Sequence, residues 1–148
     1  THAFGVTPAL AERHNAAFPQ WPLTASRGSG PAFDAARAVE SVAAIRKARP
    51  DLVVACSPDL GADLARRFQG TGEPIPGYAR CRAAWSAVQV LPNGDATVNL
   101  ACFAPAFGNI RREPLTSLWN SEPARSFRRR LLEGTPPGCL RCGSLYCG

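Results

Sequence analysis

The chain has 148 residues, 45% of them hydrophobic and 19% charged, with a formal net charge of +6. That length buries a real core in one domain, or in one domain plus part of another. No apolar run approaches the ~18 residues that a membrane span needs, and no basic-then-apolar segment opens the chain, so no membrane partner is expected.

Methionine is absent, so Thr1 is not a translation start and the chain is expected to be processed or a piece of something longer. Of the seventeen basic residues sixteen are arginine, the exception being Lys47, which reads as a compositional bias. The arginines are spread over helix-like segments, with one dense run at Arg128-Arg129-Arg130. No aromatic residues interleave with that run as base-stacking platforms would. It reads as a solvated helix face, and nucleic acid is not an expected partner.

In chain order, residues 1–31 are rich in Pro, Gly and Ser, with Phe4, Phe18 and Trp21 scattered among them. The stretch reads as irregular but ordered, because a flexible linker carries fewer large apolar groups. His2 and His14 lie in it and read as structural or exposed. Asp34 to Arg49 is predicted to be a helix, with Asp34 as N-cap, basic residues in the last turn and Pro50 as the stop. Leu52-Val53-Val54-Ala55-Cys56 looks like a buried parallel strand, with Cys56 a small buried apolar residue. Ser57 to about Phe68 reads as a second helix. Residues 69–77 hold three glycines and two prolines and place a boundary between residues 1–77 and 78–148.

The second part is organised by its cysteines. Cys81 and Cys102 bracket two apolar runs joined by Pro92-Asn93-Gly94-Asp95, a strong hairpin signal that puts both cysteines at the open end. A loop then runs from Phe103 to Ile110, a short helix from Leu115 to Trp119, and a longer helix from Ser121 to about Glu133. On that longer helix Ala124, Phe127 and Leu131 share one face. Pro136-Pro137-Gly138 leads into Cys139-Leu140-Arg141-Cys142, with Cys147 beyond. A hairpin mouth and a C-x2-C knuckle together offer four soft ligands.

Four thiolates suit zinc or an iron–sulfur cluster, and spacing alone does not separate them. A zinc ribbon carries two knuckles; here one half is two cysteines twenty-one positions apart. That wider spread suits a cluster, whose ligands sit on separate irons. Six cysteines also allow a disulfide framework, but the chain has core enough not to need one. Trp85, Phe103 and Phe107 flank the ligands and read as core aromatics. Asp95 and Asn99 read as turn and ladder residues.

Residues 81–148 resemble the C-terminal auxiliary-cluster region of radical S-adenosylmethionine enzymes, of the SPASM/twitch type. The carrying elements are Cys81, the Pro-Asn-Gly-Asp turn, Gly108-Asn109-Ile110, Leu118-Trp119-Asn120-Ser121, the "ARSFRRRLLEG" helix and Pro-x-Cys-x-x-Cys. The resemblance implies an α/β chain, α+β overall. Closing helix–strand units of a partial β/α barrel (1–77) would precede a small β-hairpin plus helix metal-binding domain (78–148). It implies one [4Fe–4S] cluster held by Cys81, Cys102, Cys139 and Cys142, with Cys147 as an alternate and zinc as an alternative occupant.

Two features depart from the family. The position of its usual hairpin cysteine, five after the turn glycine, is Asn99 here, with Cys102 as the substitute. There are also too few cysteines for a second cluster. No C-x3-C-x2-C loop occurs in the 148 residues, so S-adenosylmethionine would be cleaved by an N-terminal barrel, on the same or another chain, and this chain alone would not be catalytic. The implied partners are that barrel, a peptide or protein substrate, and an electron donor such as a ferredoxin or flavodoxin, in the reducing cytoplasm. Two other readings stand beside it: a zinc-bound structural or interaction module using the same cysteines, and a secreted disulfide-bonded binding domain.

Overall fold

The computed structural model describes residues 6–25, 34–55, 61–63, 75, 77, 81–98 and 102–146. Helix α1 (Pro8–Ala17) starts where Thr7 accepts the Leu10 N–H through Oγ1 at 3.3 Å and Pro8 fills the first turn. The following Ala, Leu, Glu and Arg residues are strong helix formers. This corrects the expectation of an irregular stretch. The apolar period is hard to see because one position on the buried face, beside Leu10 and Ala11, is the polar His14. After the helix the chain folds back on it. Asn15 donates to the Leu23 carbonyl at 3.1 Å and accepts the Leu23 N–H at 2.7 Å, which holds Leu23 in the interior.

Helix α2 (Ala35–Ala48) forms as expected, with Asp34 accepting the Arg37 N–H at 3.0 Å and Arg46 and Lys47 in the last turn. The strand expected next is not formed over its described part. Leu52–Ala55 pair with no strand, Val53 is 97% exposed, and the Arg46 guanidinium donates twice to the Val54 carbonyl, at 3.1 and 2.9 Å. A buried strand needs a neighbour to satisfy its backbone, and the described residues supply none here. Cys56, nearly all of the expected second helix and most of the 69–77 connection lie outside the described residues. Of the expected second helix, a 3-10 turn at Gly61–Asp63 is described. Closing barrel units are therefore not seen among the described residues, and the fold is a helix-rich α+β arrangement with one small sheet.

Short helix α3 (Ala83–Ser86) follows Cys81 and shortens the first hairpin arm relative to expectation. Strands β1 (Gln89–Val90) and β2 (Asp95–Thr97) then pair antiparallel, with Gln89 opposite Thr97 and Val90 opposite Ala96. Gly94 takes φ +92° in the turn, where its N–H reaches the Leu91 carbonyl at 2.8 Å. A third strand, β3 (Gly108–Asn109), pairs with the other edge of β2, within the stretch read as a loop. Two residues are too few to show an alternating pattern, but the side chain of Asn109 locks the register. It donates to the Asn93 carbonyl at 3.0 Å and to Asp95 Oδ1 at 2.9 Å, and it accepts the Arg111 N–H at 3.0 Å.

Helices α4 (Leu115–Trp119) and α5 (Glu122–Glu133) come after the sheet, a 3-10 turn (Pro137–Arg141) carries the knuckle, and α6 (Gly143–Tyr146) follows it. Ala124, Phe127 and Leu131 are buried on one face of α5, as its spacing predicts. Val6, Ala11 and Leu23 join Phe103, Phe107, Leu118, Phe127, Leu131 and Cys139 in one core. Trp21 and Phe103 meet the Phe127 ring edge-on, at 5.3 and 5.7 Å between centroids. Residues 6–25 thus share a core with residues 81–146, across the boundary placed at 77, whereas no described residue of 34–55 is buried in it. Among the described residues no helix is long and apolar enough to cross a membrane.

Candidate metal centre

Each cysteine is delivered by a different local device. Cys81 stands just before α3, so the N–H groups of Ala83 and Ala84 face its sulfur. Cys102 enters from the far side of the hairpin, and its sulfur accepts the Ala104 N–H at 3.4 Å. Cys139 and Cys142 share the 3-10 turn, in which the Cys139 N–H bonds the Pro136 carbonyl and the Cys142 N–H bonds the Cys139 carbonyl, both at 2.9 Å. The tight turn carries both knuckle sulfurs on one short piece of backbone.

All four line one cavity, together with Phe103 and Phe127 from the core and Leu131 and Leu145 from the flanking helices. Its empty space, open mouth included, is about 410 Å³. All four are free thiols. Among the described residues no three His, Cys, Asp or Glu side chains are grouped as a set that could hold a single metal ion. The sulfurs line a common space.

Burial pushes the Cys102 thiol up to about 12, with the neighbouring Cys142 and Cys81 adding repulsion against the facing Ala104 and Phe103 N–H groups. Cys139 is raised well above the ordinary thiol value, first by burial and then by Cys102, Cys142 and Cys81. Burial also raises Cys81, opposed by the N–H groups of Ala83 and Ala84. The four thiols lie within electrostatic reach of one another. Cys81, Cys102 and Cys139 are therefore protonated by themselves at neutral pH and become thiolates when a soft cation replaces the protons. The chemistry of the set, all sulfur in an apolar wall, fits a thiolate-ligated metal group.

The structure thus brings together Cys81, Cys102, Cys139 and Cys142. Cys147, His2, Asn99 and Cys56 lie outside the described residues. Phe103 and Phe107 are buried, whereas Trp85 is 40% exposed. Two residues near the centre have a part that the sequence reading did not give them. His14 is fully buried, donates from Nε2 to the Trp21 carbonyl at 3.1 Å and accepts the Gly138 N–H at Nδ1 at 3.2 Å. Arg128, expected on a solvated face, turns inward. It donates to the carbonyls of Ala84 and Trp119, both at 2.8 Å, and lies 4.2 Å from the Trp119 ring centroid. Its neighbours keep to the surface, where Arg129 pairs with Glu122 and Arg130 with Glu133. Nothing in an arginine run says which member faces in, but the gap between Phe127 and Leu131 places Arg128 beside the buried stripe.

Residues 81–143 match the family model of SPASM, an iron–sulfur cluster-binding domain. Domains of this family generally sit with a radical S-adenosylmethionine domain. No curated protein and no solved structure matches the chain.

Proposed function

We propose that this chain holds one [4Fe–4S] cluster through Cys81, Cys102, Cys139 and Cys142, as the auxiliary-cluster part of a cytoplasmic radical S-adenosylmethionine enzyme that modifies a peptide or protein. The observation that carries the reading is the gathering of four thiols from two distant stretches around one apolar-walled cavity, within the stretch that matches an iron–sulfur cluster-binding family.

Such a cluster supplies one-electron transfer, and with four thiolates it leaves no iron open to substrate. The chain's own residues do the rest. The 3-10 turn and the hairpin mouth orient the sulfurs, Phe103, Phe127, Leu131 and Leu145 keep water from them, and the N–H groups at Cys81 and Cys102 stabilise their thiolates. Cleavage of S-adenosylmethionine belongs in this reading to a barrel on the same or another chain, served by a ferredoxin or flavodoxin. The exposed Ile45, Leu52 and Val53 support residues 34–55 as the unit that joins such a barrel.

The test is iron, acid-labile sulfide and zinc per chain after anaerobic purification, with single Cys→Ser variants. About four irons and four sulfides per chain are expected, lost on substitution of Cys81, Cys102, Cys139 or Cys142 and kept in Cys147→Ser. One zinc with no sulfide after attempted reconstitution would replace the reading with the structural module. Absence of both metal and free thiols would leave the disulfide-bonded one.

A further inference from the structure

The family match begins at residue 81, but two residues that line the cavity, Gly138 and Phe103, are backed by a side chain that the match does not contain. Gly138 immediately precedes Cys139, and its N–H donates to His14 Nδ1 across 124 positions of sequence, in a buried hydrogen bond of 3.2 Å. The approach leaves little room for a side chain. A Cβ at Gly138 would lie 3.0 Å from His14 Nδ1 and 2.9 Å from Leu23 Cδ2. The same imidazole meets the Phe103 ring edge-on at 4.4 Å between centroids, and Phe103 follows Cys102 and lines the cavity. His14 therefore touches the chain neighbours of one cysteine from each half of the set.

The ring is locked in turn. With 0% exposure it stacks on Phe18 at 5.1 Å, and the Trp21 carbonyl takes the Nε2 proton, which leaves Nδ1 as the acceptor. A buried backbone N–H needs a partner, and the partner of the Gly138 N–H is this ring.

We infer that His14 is a positioning residue of the metal centre, and that the metal-binding unit extends to residues 6–25, with α1 bracing the Cys139–Cys142 knuckle through Gly138. The inference rests on the cysteine site proposed above. Coupling of this kind is reciprocal: if α1 steadies the knuckle for the metal, the metal steadies α1.

The test uses the full chain loaded anaerobically with iron and sulfide, and with zinc in parallel. His14→Phe keeps a ring of similar size and removes the acceptor; His14→Asn keeps an acceptor near the Nδ1 position. His14→Phe is expected to surrender its metal to a chelator roughly 10-fold faster than the parent, the lower end for outer partners of metal sites. His14→Asn should fall between the two. A His14→Phe chain with the parent's far-UV spectrum and the parent's rate of metal loss would overturn the inference.

Should His14→Phe fail to fold, the parent chain itself decides by amide exchange with and without metal. Slower exchange over residues 8–17 on loading supports the coupling. Slower exchange over residues 137–146 with residues 8–17 unchanged refutes it. A parent chain that takes up neither iron–sulfide nor zinc would remove the site and this inference with it, whereas a loaded parent with an unaffected His14→Phe removes the inference alone.

Discussion

Gly108 offers the sharpest test of how the sheet is fixed against its helices. It sits at φ +139°, and a Cβ built there would lie 2.4 Å from Leu118 Cδ2. Ordinary carbon contacts are about 3.5–4.0 Å, so the shortfall exceeds about 1 Å. Leu118 is 1% exposed and has no solvent to swing into. Gly108→Ala therefore meets two penalties, about 1–3 kcal/mol for overpacking and about 1–3 kcal/mol for the backbone. We expect a loss of about 4 kcal/mol from these two sources together.

Gly134→Ala is the matched control, since that residue has extended backbone at φ 165° and no atom within 4 Å of the added carbon. Its change should stay within about 0.5 kcal/mol. Urea titration of the reduced chain, followed by far-UV dichroism and tryptophan fluorescence, reads both. At slopes of about 1–3 kcal/mol per molar, Gly108→Ala should lower the midpoint by more than about 1 M. Equal midpoints for the two variants, or a Gly108→Ala chain within about 0.5 kcal/mol of the parent, would refute the steric argument.

Two further outcomes follow from buried polar groups. Arg128→Ala strips the donors from the Ala84 and Trp119 carbonyls and should cost about 2 kcal/mol in the same titration. Arg128→Lys should recover less than half of that, since an ammonium lacks the fork that reaches both carbonyls. Burial holds His14 below its ordinary value of 6.5, with the Trp21 carbonyl bond opposing. The unfolded chain therefore takes up a proton at a pH where the folded one does not, so this contribution is intact above about 6.5 and lost as pH falls below it. The slope is at most about 1.4 kcal/mol per pH unit. Urea midpoints at about pH 7.5 and about pH 5.5 should differ more for the parent than for His14→Phe; equal differences would show that His14 does not titrate on unfolding.

Legibility in the sequence tracked how local each cause is. The Asn93-Gly94 turn, the Asp34 cap and the buried stripe of α5 are fixed by residues a few positions apart, and all three formed where the sequence placed them. The convergence of Cys81 and Cys102 on the knuckle could be anticipated because an antiparallel hairpin returns its ends to one place. What escaped notice depends on distant partners. Strand β3 exists because Asn109 reaches back to Asn93 and Asp95, and α1 buries a histidine because a backbone N–H 124 positions away needs an acceptor. The apolar run at Leu52–Ala55 misled in the opposite direction, since hydrophobicity records a tendency to be buried and says nothing of whether a neighbouring strand is at hand.

Those distant partners also explain why the motifs of the C-terminal region come as a set. Gly108 is bare where Leu118 fills the space, Asn109 closes the Asn93–Asp95 turn, and Arg128 ties α5 to the carbonyl of Ala84, three residues after Cys81. Each residue makes sense only with its counterpart in place, so the spacing between them carries as much information as their identity. The electrostatics of the thiols point the same way. Burial and mutual repulsion raise Cys81, Cys102 and Cys139, which makes any one of them a poor free nucleophile at neutral pH. Yet N–H groups already face the sulfurs of Cys81 and Cys102, an arrangement that favours their charged form. Donors facing the sulfurs, around thiols that burial keeps protonated, are the arrangement that a thiolate-bound metal group would call for.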